Sequence, residues 1–304
     1  MFKIYQSLLI YVITPIMKYF LSLFICLLIG FNSFSMNVDT ASLIYKSEIK
    51  LDKLFKELRK RGNSNQDYLS INKVFKKELK EVLKLDAAFV YPFDSLKSTM
   101  STITSPDGEF RLFNWNIEME SGINTFHCFI LKKKGNIIEL RDNYRFIQNP
   151  ELKTLNQRNW YGALYYKIIP MKKGKYTLLG WNGKDAITTQ KVMETMSLSR
   201  KSAKFGFDIF EFPGDRIKKK RIILEYSNTA YVSLKHYSTK NEQQIVFSHL
   251  SPSTPQMEGF YQYYYPDLST DRFILTNKGN WLFESDSEIK NPETRGDKDY
   301  NKPE

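Results

Sequence analysis

The stretch "SPDGEFRLFNWN", residues 105–116, decides how the rest of the chain reads. A Ser-Pro-Asp-Gly turn running straight into an aromatic strand is the phrase that opens a β-propeller blade, and a propeller repeats its phrase every ~40 to 50 residues. Trp115 and Trp160 stand 45 residues apart, but Trp181 and Trp281 break that rhythm and Ser-Pro-Asp-Gly never recurs. The phrase is therefore one tight turn. Pro106 presets its own dihedral, Asp107 and Gly108 allow the reversal, and residues 109–117 follow as a strand.

Outward from that turn, residues 89–285 keep one texture: short β-branched and aromatic runs broken by Gly, Asn, Asp and Pro, the pattern of antiparallel strands. Further strands are expected at 125–131, 136–142, 162–169, 175–181, 188–198, 207–211, 220–226, 230–237, 243–248, 260–265, 272–276 and 280–284, with 148–159 as the longest loop. Upstream, within 36–88, the period changes. Leu51, Leu54, Phe55 and Leu58 fall at helical spacing in 40–61, and Ile71, Val74, Phe75, Leu79, Val82 and Leu83 repeat it in 70–85. Gly62 suits the end of the first helix, and Asp67 or Ser70 the cap of the second. The expected fold class is α+β: two N-terminal helices followed by a large antiparallel β domain, either a sandwich or an open barrel.

The two ends read differently. Residues 17–35, "MKYFLSLFICLLIGFNSFS", form a short positive start, an apolar run over 19–31, and Ser33 and Ser35 at the −3 and −1 positions of a cleavage site. Residues 1–35 are thus a secretory signal peptide. The run is shorter than the ~20 residues that cross a bilayer. If Met1 rather than Met17 starts the chain, an N-terminal anchor is the alternative. Cys26 follows bulky Phe24 and Ile25, unlike a lipid-modified cysteine. Residues 286–304 read as a disordered polar tail. The expected location is outside the cytoplasm, whether periplasmic, outer-membrane associated or secreted, with membrane contact only through an uncleaved leader.

Forty-five basic residues against 33 acidic ones give a net charge of +12, which raises nucleic acid as a partner. Three observations count against it. Lys outnumbers Arg 34 to 11, whereas bidentate phosphate and guanine recognition favours Arg. "LKKKGN" (131–136) and "PMKKGK" (170–175) look like hairpin tips and "DRIKKKR" (215–221) like the approach to a strand, where Lys keeps edges soluble. An exported chain also meets no nucleic acid. After cleavage only Cys128 remains, so no internal disulfide forms.

No phosphate-binding loop, dinucleotide turn, paired metal-histidine motif or nucleophile elbow occurs, and no cofactor is implied. Of three histidines, His127 lies in an apolar strand and His236 among tyrosines; both read as structural. His249 stands at an expected strand end, before a long loop that leads to Asp267 and Asp271. With these carboxylates or Glu225 it would form an acid–base site, and Ser251 or Ser253 would be the nucleophile. The competing reading is ordinary turn chemistry, with His249 tying the loop to the sheet. Asp267 and Asp271 supply too few oxygens for a hard cation. Tyr261, Tyr263 and Tyr265 fall on one face of an expected strand, as a platform for a glycan or peptide or as sheet packing.

"SPDGEFRLFNWN", "YYKIIPMKKGKYTLLGWNG", "KFGFDIF", "KKRIILEYS" and "IVFSHLSPSTPQMEGFYQYYYPDLSTD" together resemble a family of exported proteins from Bacteroidota with no assigned activity, over residues 105–272. The family pattern carries Asp where Ser248 stands and Tyr where Thr270 stands. The resemblance implies an exported, β-rich build and transfers no catalytic residues. Two functions follow as expectations: a non-enzymatic binding or scaffold module of the envelope or exterior, or an exported hydrolase built around His249.

Overall fold

The computed structural model describes residues 38–60 and 62–285; the leader and the polar tail lie outside the described residues. The chain divides into two units, Met1–Ser42 and Leu43–Glu304. The described part of the first unit is the opening turn of helix α1 (Val38–Leu58). Everything below concerns the second.

Helix α2 (Asn65–Val82) starts at Ser64, not at Asp67 or Ser70. Ser64 Oγ accepts from the Asp67 backbone N–H while the Asp67 carboxylate accepts from the Ser64 N–H at 2.9 Å, so two N-terminal donors are satisfied reciprocally. Phe75 projects from the apolar face of α2 onto Phe55 and Trp115, at centroid distances of 5.4 and 5.1 Å. None of the described helices is long and apolar enough to cross a membrane.

Among the described residues, fifteen strands form three open sheets. The first is a meander of β1 (Ser101–Thr104), β2 (Phe110–Glu118), β3 (Asn124–Lys132) and β4 (Ile137–Arg141). The second orders β5 (Leu155–Asn156), β9 (Ala203–Phe205), β8 (Thr188–Leu198), β7 (Lys175–Asn182) and β6 (Leu164–Pro170), with β11 (Arg221–Ser227) also paired to β8. The third orders β10 (Phe210–Glu211), β15 (Trp281–Glu284), β14 (Tyr264–Leu275), β13 (Gln243–Pro252) and β12 (Leu234–Ser238). Every pairing between these strands is antiparallel except β10 with β15.

The second sheet lies in the middle because its alternate residues are apolar on both faces. Ile168, Leu178, Val192 and Met196 join Phe110, Leu112, Phe126 and Cys128 of the first sheet in one core. Their neighbours Ile169, Leu179 and Met193 join Ile245, Phe247, Phe273 and Trp281 of the third sheet in another. Trp115, Trp160 and Trp281 are at most 1% exposed, and each indole N–H donates to a partner: Asn72 Oδ1 (3.0 Å), the Tyr165 hydroxyl (2.8 Å) and Thr177 Oγ1 (2.9 Å).

The Ser-Pro-Asp-Gly turn is the β1–β2 hairpin. Gly108 has φ +69° and donates its N–H to the Ser105 carbonyl at 2.8 Å, and the Tyr176 hydroxyl donates to Asp107 at 2.6 Å, pinning the turn to β7. Two expectations are corrected. Residues 260–265 are not one strand: Tyr261–Tyr263 is a 3-10 turn and β14 begins at Tyr264, so the three tyrosines do not share a strand face. His249 is not at a strand end either, because β13 continues to Pro252.

Candidate functional site

His249 sits where the β13–β14 register shifts. Ser248 faces Thr270 and Leu250 faces Pro266, so Asp267, Leu268 and Ser269 bulge from β14. The bulge turns on Asp267, whose carboxylate accepts from the Ser269 N–H (3.1 Å) and hydroxyl (2.7 Å), while Leu268 takes φ +75° with its side chain almost fully exposed. His249 Nδ1 and Asp271 Oδ2 lie 2.8 Å apart, and Nε2 is 3.8 Å from Asp267 Oδ2. The Ser269 hydroxyl first, with His249 and the Ser251 hydroxyl adding to it, holds the Asp267 carboxyl below its usual range.

Glu225 belongs elsewhere. In β11 it faces Gln190 of β8, accepting from Gln190 Nε2 at 2.7 Å and Thr188 Oγ1 at 3.0 Å, and pairs with Lys184. Gln190 in turn accepts from the Tyr161 hydroxyl at 2.9 Å, which burial holds in its neutral form. This network surrounds the turn that joins β7 to β8, and three clefts adjoin it.

The first cleft, of about 660 Å³, lies among Arg59, Asn116, Asn124, Trp181, Lys191 and Tyr226, with Glu118 and Asp185 also on its walls. That volume falls within the ~300–1,000 Å³ of small-ligand sites. The second, about 360 Å³, shares Asp185 with the first and adds Tyr144, Tyr161, Lys184 and Gln190. The third, about 450 Å³, shares Pro150, Tyr161 and Gln190 with the second and ends on Glu225 and Tyr261. Of the three tyrosines, then, Tyr261 joins Glu225 in this cleft. Tyr263 and Tyr265 both stay half-exposed, and the hydroxyls of Ser227 and Thr229 hold the Tyr265 phenol below its usual range.

The first cleft has a built interior. Arg59 Nη2 donates to Asn116 Oδ1 at 2.9 Å, and Asn116 Nδ2 donates to Asn124 Oδ1 at 2.6 Å. Burial lowers the Arg59 guanidinium from its ordinary value, against the opposing pull of Glu118, and lowers the Lys191 ammonium likewise. Gly183 makes the wall close-packed: a Cβ there would stand 2.5 Å from Trp181 Cη2 and 2.7 Å from Asn124 Nδ2.

His127 and His236 are placed structurally. Asn72 accepts from Trp115 through Oδ1, so its Nδ2 donates to His127 Nε2 at 3.0 Å and fixes the neutral imidazole with its proton on Nδ1. Burial first, and Lys76 second, press the His127 pKa down to about 3. His236 Nε2 lies 3.3 Å from Gln243 Oε1. Cys128 is buried and its thiol pushed well up by burial, the condition of an inert thiol. No group of three or more metal-ligating side chains occurs among the described residues.

Sequence reasoning missed Arg59, Asn116, Asn124, Trp181 and Gly183. The stretches "NWN" (114–116) and "WNGKD" (181–185) held Asn116, Trp181 and Gly183, while no local pattern marked Arg59 or Asn124. No family model, no curated protein and no solved structure matches this chain. The chain's own residues therefore carry the functional reading.

Proposed function

We propose that this protein is a non-enzymatic binding module of the cell envelope or cell exterior, taking a glycan or peptide component as its partner. The observation that carries the reading is the run of three adjoining clefts around the β7–β8 turn, where amides, paired charges and aromatic rings converge. Convergent polar groups set among rings fix a ligand's orientation without needing a reactive atom. Export rests on the leader sequence, and fractionation with an antibody against the mature chain tests it: full-length, unprocessed protein in the cytosol would refute it.

A second reading, an exported hydrolase, is favoured by one contact, His249 to Asp271 at 2.8 Å, in which a carboxylate orients the imidazole. Glu225 takes no part in it, being held by Lys184, Gln190 and Thr188. One screen separates the two. Envelope glycans and peptides are tested for thermal stabilisation of the protein and, in the same samples, for cleavage. Stabilisation without turnover supports the module. Turnover that His249→Ala abolishes at unchanged melting temperature would replace it with the hydrolase.

A further inference from the structure

We infer that the cleft beside Trp181 binds a neutral oligosaccharide, a step that rests on the binding-module reading and names the ligand class of its first cleft. Charge balance is the first reason. Arg59 and Lys191 line one cleft with Glu118 and Asp185, so the charged side chains of its lining cancel and favour neither an anionic nor a cationic ligand.

The second reason is an amide that ends a relay. Arg59 polarises Asn116 and Asn116 polarises Asn124, yet among the described residues the Asn124 Nδ2 donors have no protein acceptor, although Asn124 is only 6% exposed. Nδ2 itself reaches the cleft's solvent, since among the described residues the buried side-chain atom without a partner is Arg221 Nη2, so Nδ2 is a donor available to whatever enters. A sugar hydroxyl fits, because it accepts from Nδ2 and donates onward to a carboxylate such as Glu118. Geometry brings the donors to the ligand: Gly183 lacks the Cβ that would block Asn124 Nδ2 and Trp181.

Rings supply the third reason. Trp181, Tyr226 and Tyr231 line the same cleft, offering flat apolar faces to the C–H face of a pyranose. A peptide adding as a strand finds no edge on β8, which is laddered to β7 on one side and to β11 on the other.

Trp181 also provides the readout. The other three tryptophans are at most 1% exposed, so a ligand-induced change of emission reports on Trp181. The full chain is titrated with maltotetraose, cellotetraose, xylotetraose and chitotetraose, with tetragalacturonate as the acidic probe and tetraalanine as the peptide probe, and each titration is repeated by calorimetry. We expect a saturable change with at least one neutral tetrasaccharide, absent in Trp181→Phe, with binding weakened about tenfold in Asn124→Ala, the worth of one hydrogen bond. Tyr231→Ala, at a side chain 85% exposed, keeps the fold and weakens binding by a smaller factor. Saturation by tetragalacturonate or tetraalanine alone overturns the neutral-sugar assignment and leaves the module reading standing. Neutral-sugar heat that persists unchanged in both Trp181→Phe and Asn124→Ala moves the ligand to another cleft and overturns this inference. Silence from all six probes overturns it too, and the wider envelope screen then decides the module reading.

Discussion

At the scale of single residues, two positions hold measurable tension. Leu268 takes φ +75°, a conformation that costs an L-residue with a Cβ about 1–2 kcal/mol, while its side chain is 99% exposed and packs against nothing. Leu268→Gly should therefore stabilise the protein by about 1 kcal/mol in urea denaturation; a loss of stability would mean that the leucine makes a contact the fold needs. His127 is the second. Unfolded, it binds a proton below about pH 6.5; folded, it does so only near pH 3. Across that window the unfolded state holds more protons, so His127 removes stability as pH falls from 6.5 toward 3. Protonation would also turn Nε2 into a donor facing the Asn72 N–H. Asp142 acts with the opposite sign. Burial raises its carboxyl to about 6, so it favours the fold less as pH rises from about 4 to 6. Denaturation midpoints between pH 4 and 6.5 should rise more steeply with pH in Asp142→Asn than in the native chain, and the reverse order would refute the assignment.

At the scale of elements, the pair that joins β8 to β11 is the most exposed to mutation. Arg221 and Glu194 are wholly buried, 2.5 Å apart, and Arg221 also donates to the Pro150 carbonyl. Glu194→Gln leaves the guanidinium uncompensated, and we expect a loss of about 3–5 kcal/mol by chemical denaturation; a loss below about 1 kcal/mol would show that the pair does not secure β11. The elements also divide by how well the sequence announces them. The two helices and the hairpin after Pro106 were legible because their signals are local: a 3.6-residue period in one case, Asp107-Gly108 in the other. Residues 260–265 misled because alternating tyrosines satisfy a strand pattern, whereas after Gly259 at φ +82° the chain makes a 3-10 turn and becomes extended only from Tyr264. The bulge that carries Asp267 to His249 was half legible: residues 267–271 read as turn chemistry beside His249, but the register shift that sets three residues against one alters pairing without altering composition. The first cleft was illegible for a larger reason. Arg59, Asn116, Asn124 and Trp181 come from separate elements, and only the stacking of helices and sheets sets their distances.

At the scale of the whole molecule, the second core closes late. β10 and β15 pair in parallel, Phe210 beside Trp281, and the Trp281 N–H donates to the Ile209 carbonyl at 2.7 Å. A chain ending at Leu275 should therefore bind a hydrophobic dye and yield to protease. One ending at 285 should resist both, and equal behaviour of the two would refute the role given to Trp281. During synthesis this matters in time. The indole that fills the hollow between two sheets leaves the ribosome after every other buried residue of that core. Until then the nascent polypeptide carries an open greasy seam.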